Sequence, residues 1–154
     1  MKFNYYAFKA IYLHEMDRFR RTLLQSLLSP VLSTSLYFIV FGSVIGGYVQ
    51  KIDGISYGSY IVPGLLMLTL LTQSISNTSF GIFFPKFNGT IYEILAAPIS
   101  TIEVVLAFVG AGATKTVIVG IMIFITSMFF VDVEVKYPLL MIFLLLLVSF
   151  TFAL

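Results

Sequence analysis

Cysteine is absent from the 154-residue chain, which excludes disulfides, thiolate nucleophiles and cysteine-based metal sites. Histidine occurs once, as His14, so the chain lacks the clustered histidines that a metal site needs. His14 falls in a charged N-terminal segment, and we interpret it as a side chain that faces water or lipid headgroups. The sequence therefore offers neither the metal ligands nor the pairing of nucleophile and base from which an enzyme active site is built.

Charged residues are also scarce. They make up 10% of the chain, whereas 59% of the residues are hydrophobic and the mean hydropathy is +1.03. Soluble domains carry about 25% charged residues. The net charge of +2 is too small and too evenly balanced for nucleic-acid binding, which needs a concentrated basic face. Composition thus predicts one all-α integral membrane domain without a polar linker.

The first 22 residues differ from the rest because charges recur through Arg21, and the segment is therefore not a signal peptide. Apolar side chains recur at three- and four-residue spacing, at Phe8, Tyr12, Met16 and Phe19. This pattern predicts an amphipathic helix over 1–22 that lies at the membrane interface. The alternative is that the same helix packs on protein.

Four apolar segments follow and are predicted to cross the membrane. A helix needs about 20 residues to span the hydrocarbon layer. The predicted spans are 23–49, 59–84, 101–131 and 138–154. The fourth is shorter than a full span, and we expect the chain to be a piece of a longer protein.

Three polar side chains inside these segments are predicted to avoid lipid. Gln73 and Asn77 lie four residues apart on one helical face, where they serve either as contacts between helices or as the lining of a hydrated path. Lys115 follows Glu103 by about a dozen residues. Lys115 either lies in the interface, or lies in the bilayer facing protein or water, or reaches back to the headgroups. Small residues at 110–113 predict close helix packing.

Residues 85–100 interrupt the apolar pattern between the second and third spans. The sequence Thr90-Ile91-Tyr92-Glu93 has the form of a capping box and predicts a short helix of about two turns. Five basic residues precede the first span, so the positive-inside rule places the N-terminus in the cytoplasm. By the same rule 85–100 lies in the cytoplasm, where it forms a natural docking point for a partner.

Several short segments, taken in this order, resemble the permease subunits of ABC-2-type exporters. They are Leu36-Tyr37-Phe38-Ile39-Val40-Phe41-Gly42, Tyr60-Ile61-Val62-Pro63-Gly64-Leu65, Gly89-Thr90-Ile91-Tyr92-Glu93-Ile94-Leu95 and Ala97-Pro98-Ile99-Ser100. The resemblance implies a permease of six spans that pairs with a second copy in a bacterial inner membrane. It also implies a separate cytosolic ATPase, so that ATP and magnesium bind to the partner and this chain holds no cofactor.

The resemblance assigns coupling with the ATPase to Glu93 and its neighbours. These residues are Lys86, Thr90, Tyr92, Glu93, Ile94 and Leu95. The implied function is the export of a drug, a polysaccharide or another amphiphile, with no enzymatic step on this chain. The alternative function is a small helical scaffold or pore that needs no ATPase, with Gln73, Asn77 and Lys115 lining a static conduit.

Overall fold

The computed structural model describes residues 4–45, 51–52, 55–131 and 137–154. Within these ranges the chain forms six α-helices. They are α1 (Tyr5–Arg21), α2 (Leu23–Tyr37), α3 (Tyr57–Phe87), α4 (Ile91–Ala96), α5 (Thr101–Phe130) and α6 (Pro138–Ala153). The backbone continues α2 as a π-helix over Phe38–Ile45, and two short antiparallel strands, Lys51–Ile52 and Ile55–Ser56, precede α3.

Three of the described helical segments are long and apolar enough to cross a membrane: Leu23–Phe41, α3 and α5. The helix α6 is apolar as well but has only 16 residues. The predicted all-α membrane fold is confirmed, and the strands, at two residues each, do not change that class. Of the segment predicted as the first span, 46–49 lies outside the described residues.

The helix α3 continues past the position where the sequence predicted a break. It passes through Pro85 and ends at Phe87. The helical hydrogen bonds continue beyond the proline, since the Asn88 N–H donates to the Phe84 carbonyl oxygen at 3.0 Å. Proline removes its own N–H from the helical pattern and crowds the carbonyl group four residues earlier, which weakens a helix without always ending it. The helices α3 and α5 have 31 and 30 residues, which at about 1.5 Å per residue exceeds the roughly 30 Å hydrocarbon layer by several turns.

The helix α5 is the centre of the bundle. Of its most apolar stretch 56% is buried, compared with 28% in α3 and 17% in the first span. It packs against α1, α2, α3 and α6. One apolar cluster joins Leu66, Leu70 and Leu145, and another joins Val109, Ala113 and Ala153. The first cluster joins α3 to α6 beside Val117 and Phe124 of α5, and the second joins α5 to α6.

Two glycines allow α3 to approach α5 closely. A methyl group on Gly112 would overlap the Thr78 hydroxyl oxygen, and one on Gly120 would lie 2.6 Å from a Leu70 methyl carbon. Small residues have this role in membrane helix interfaces. The close packing predicted around 110–113 is confirmed at Gly112.

Candidate functional site at the α4 end of the bundle

The last turn of α3, the turn at 88–90, α4 and the first turn of α5 lie together at one end of the bundle, which we call the α4 end. Gly89 makes the turn, with a left-handed φ of 77°. The predicted capping box at Thr90 and Glu93 is wrong. Thr90 has helical backbone angles, and its hydroxyl donates to the Pro85 carbonyl oxygen at 3.3 Å instead. A capping side chain needs a non-helical backbone at that position.

The short helix α4 leaves four of its six residues exposed. None of its six residues is buried by the described part of the chain. Tyr92 is 73% exposed and Leu95 is 67% exposed, and Lys86 and Glu93 are exposed beside them. Exposed aromatic and apolar side chains next to charges are typical of a surface that another protein covers.

A cleft of about 360 Å³ separates α4 from α1. Its walls are largely apolar, and three titratable side chains border it. The lining residues are Ala10, Ile11, His14, Glu15, Pro85, Thr90, Glu93, Ile94 and Phe108. His14 is exposed, in line with its predicted contact with water or headgroups. The inner face of Ile94 thus points into the cleft, whereas Tyr92 and Leu95 remain exposed.

Behind this cleft lies a buried group of charges. The Lys115 ammonium nitrogen is 2.7 Å from Glu15 Oε2, and Arg18 Nη2 is 2.9 Å from the same oxygen. The side chains of Glu15 and Lys115 are 2% and 5% exposed. The Arg18 guanidinium carbon also lies 5.7 Å from the centre of the Phe80 ring and 5.8 Å from that of Phe84, within cation–π range.

The Lys115 ammonium group is buried and bonds to Glu15, so it faces protein and does not contact lipid. The bonded Glu15 oxygen lies beside Gly81, which also packs against Phe108. The depth of Lys115 in the membrane stays a prediction.

Three contacts give the direction of α1 relative to α5. The Asn4 backbone N–H donates to Glu103 Oε1 at 2.6 Å, and the hydroxyl oxygens of Tyr12 and Thr114 are 3.0 Å apart. With the Glu15–Lys115 pair, the sequence separations are 99, 102 and 100 residues. The two helices therefore run parallel and side by side.

The apolar stripe of α1 faces the bundle. Phe19 is buried, and Phe8, Tyr12 and Met16 are partly buried. The apolar face of α1 therefore packs on protein, which was the alternative to the predicted contact with lipid. The opposite face, with exposed charges such as Lys9, stays available to headgroups, and its contact with lipid remains a prediction.

The buried carboxylate of Glu103 joins the starts of both helices. One oxygen accepts from the Asn4 N–H, and the other accepts from the Ser100 N–H at 3.0 Å. Asn4 is the N-cap of α1 and Ser100 that of α5. A carboxylate is favourable at helix N-termini because the helix dipole is positive there.

Gln73 and Asn77 lie elsewhere in the bundle. Gln73 borders a second cleft, of about 280 Å³, between α2 and α3, together with Ser29, Ser33 and Thr72. The Asn77 amide nitrogen is buried and has no hydrogen-bond partner among the described residues. The residues that line the two clefts include neither Asn77 nor Lys115. Neither of these two clefts brings Gln73, Asn77 and Lys115 together.

Glu15, the partner of Lys115, did not emerge from the sequence pattern. A usable signal exists, because a lysine in an apolar helix requires a counter-charge and the chain has only seven acidic residues. Choosing among them needs the register of α1 on α5, which is a tertiary property.

The fold and this end of the bundle define a class: a multi-pass helical membrane protein whose long spans are joined by a short, exposed helix. The chain belongs to the ABC-2 type transporter family, whose model matches residues 6–154. The resemblance predicted from the sequence is thereby confirmed.

Curated relatives agree with this membership. The chain is similar to the inner membrane transport permease YadH of Escherichia coli (strain K12), with 38% identity over 135 residues, which cover 88% of this chain and 53% of the relative. The YadH proteins of Escherichia coli O157:H7 and Shigella flexneri match with the same identity and coverage. The chain thus spans about half the length of these relatives. No solved structure matches significantly.

Proposed function

We propose that the chain is part of the transmembrane permease subunit of an ABC exporter, driven by a separate cytosolic ATPase. Family membership and the similarity to proteins named inner membrane transport permease support a transport role. ATP and magnesium bind to the ATPase, and the permease contributes helices and no catalytic residue. The protein lies in a bacterial inner membrane as a multi-pass subunit.

In this proposal the α4 end faces the cytoplasm. The basic residues of α1 support this orientation, because Lys9, Arg20 and Arg21 are exposed on a helix that begins at that end, where the Asn4 N–H bonds to Glu103. Lys86 is exposed there as well. An excess of lysine and arginine marks the cytoplasmic side of membrane proteins.

The ATPase docks on α4. The observation that carries this assignment is that α4, held between the two longest described helices, leaves Tyr92, Glu93 and Leu95 exposed. Closure of the ATPase around ATP moves α4, and α3 and α5 transmit the movement into the membrane as continuous helices. Lys86, Thr90 and Ile94 complete the coupling element.

A second copy of the permease completes the path for cargo. The cleft between α2 and α3 supports this step, since it places Gln73 beside Ser29, Ser33 and Thr72 within otherwise apolar spans. Such a partly polar wall suits an amphiphile, such as a drug or a lipid-linked polysaccharide, that moves outward.

The test is a Glu93→Pro variant in cells that express the complete permease with its ATPase. Proline at this position removes the hydrogen bond from the Glu93 N–H to the Thr90 carbonyl oxygen, at 3.2 Å, and disfavours a helical backbone at Tyr92, so it disrupts the first turn of α4. We expect normal insertion into the membrane and export reduced at least tenfold. A Glu93→Gln variant, which keeps the helix, is the matched control. Normal export by Glu93→Pro would show that α4 does not couple the two subunits.

A further inference from the structure

Glu15 and the two cations bound to it connect the helices α1, α3 and α5. Its carboxylate contacts Lys115 of α5 directly and Arg18 of α1, and Arg18 in turn lies against the Phe80 and Phe84 rings of α3. Gly81 of α3 completes the enclosure, since a methyl group there would lie 3.6 Å from Glu15 Oε2. The carboxylate is thus enclosed by α1, α3 and α5.

An ion pair is a poor means of adding stability in such a place. Removing two charges from water costs about as much as their attraction returns, and well-packed apolar side chains often stabilise a protein equally well. Contacts between apolar side chains are non-directional, however. On apolar contacts alone, α1 could slide along α5 by one turn, about 5.4 Å, and its apolar face would remain covered. A buried carboxylate and ammonium group meet in one register only.

The register of α1 matters because α1 forms one wall of the cleft beside α4. In the observed register Ile11 and His14 of α1 lie across from Glu93 and Ile94. Sliding by one turn would replace these two α1 side chains by Glu15 and Arg18, four positions further along. The surface offered to the partner would change in both shape and charge.

We propose that Glu15 and Lys115 are positioning residues that fix the register of α1 on α5 and thereby keep the α1 wall of the cleft aligned with α4. The consequence for transport rests on the proposed function, because it requires a partner that docks at α4. The register itself does not depend on that function.

Crosslinking measures the register directly, because these 154 residues contain no cysteine, and any cysteine elsewhere in the complete permease is replaced by serine. Tyr12→Cys and Thr114→Cys replace two side chains whose hydroxyl oxygens are 3.0 Å apart, and a short bifunctional thiol reagent bridges the space that the tyrosine ring leaves between the two thiols. A second pair, Met16→Cys with Thr114→Cys, reports a slide of one turn in the direction that brings Glu15 and Arg18 to the places of Ile11 and His14. With Glu15 and Lys115 present, we expect the first pair to crosslink at least fivefold more than the second in the complete permease in membranes.

The decisive variant replaces both charges, as Glu15→Met with Lys115→Met. We expect the preference for the first cysteine pair to fall at least fivefold, and ATPase stimulation by the permease to fall with it. The matched control, Lys9→Met with Asp17→Met, removes two exposed charges of α1 and keeps the preference. An unchanged preference in the Glu15 and Lys115 variant overturns the proposal.

If that variant fails to insert, the reversed pair, Glu15→Lys with Lys115→Glu, decides the matter. We expect it to crosslink at least fivefold more than Lys115→Glu alone, and equal yields overturn the proposal. A permease that shows the register effect but never stimulates an ATPase contradicts the proposed function and leaves the positioning role intact.

Discussion

The close approach of α3 and α5 at Gly112 yields a quantitative prediction. Alanine in a helix interior is favoured over glycine by about 0.5–1 kcal/mol. At Gly112 the added methyl would overlap the Thr78 hydroxyl oxygen, lie 3.3 Å from Thr78 Cβ and lie 3.5 Å from its Cα. Rotating the Thr78 side chain moves the hydroxyl oxygen but not Cβ, so the tight 3.3 Å contact with Cβ remains, whereas 3.5 Å to Cα is ordinary van der Waals contact. Overpacking of this kind costs about 1–3 kcal/mol.

We therefore expect Gly112→Ala to destabilise the protein by about 0.5–2 kcal/mol. The matched control is Gly64→Ala in α3, where an added methyl meets no described atom within 4 Å. The control should be neutral or stabilising by up to about 1 kcal/mol. Unfolding of both variants in the same detergent gives the comparison, and Thr78→Ala should offset part of the Gly112→Ala defect. Equal effects of the two alanines would refute the assigned packing.

Three further variants test other contacts through the same unfolding measurement. Glu103→Gln should destabilise by about 1–2 kcal/mol, because it removes the charge that two helix N-termini share; an unchanged midpoint would contradict that role. Ser74→Ala should cost about 0.5–1.5 kcal/mol by removing the 2.7 Å bond to the Ser149 carbonyl oxygen, and Ser76→Ala, on an exposed position, is its control. Phe80→Leu should cost about 0.5–1 kcal/mol beyond the loss of packing, and this extra cost should vanish when Arg18 is also replaced. A double-mutant cycle that shows no coupling between Phe80 and Arg18 would exclude the cation–π contact.

Much of the helical layout follows from the sequence because the hydrocarbon layer imposes simple requirements. Long charge-free runs have to become helices in lipid, and the predicted segments 59–84 and 101–131 overlap α3 and α5 almost completely. The boundary at Pro85 was less accurate, because proline weakens a helix without always ending it. The capping box at Thr90 failed because Gly89 already supplies the turn, which leaves Thr90 with a helical backbone.

The partners of the charged residues could not be predicted. The periodicity of α1 gives its apolar face but does not say whether lipid or protein covers it. The Glu15–Lys115 pair joins residues 100 positions apart, and it depends on how α1 is placed against α5. Gln73 and Asn77 both lie on α3 as predicted, but the structure was needed to show that Gln73 borders a cleft and that the Asn77 amide nitrogen is buried.

Accessibility of α4 tests the proposed permease role most directly. In a permease whose only cysteine replaces Tyr92, a thiol reagent that cannot cross membranes should label inside-out vesicles but not intact cells. Adding the ATPase should protect that cysteine at least fivefold, since the two proteins meet there. Labelling from outside intact cells, or equal labelling with and without the ATPase, would contradict the assignment of α4 as the cytoplasmic docking surface.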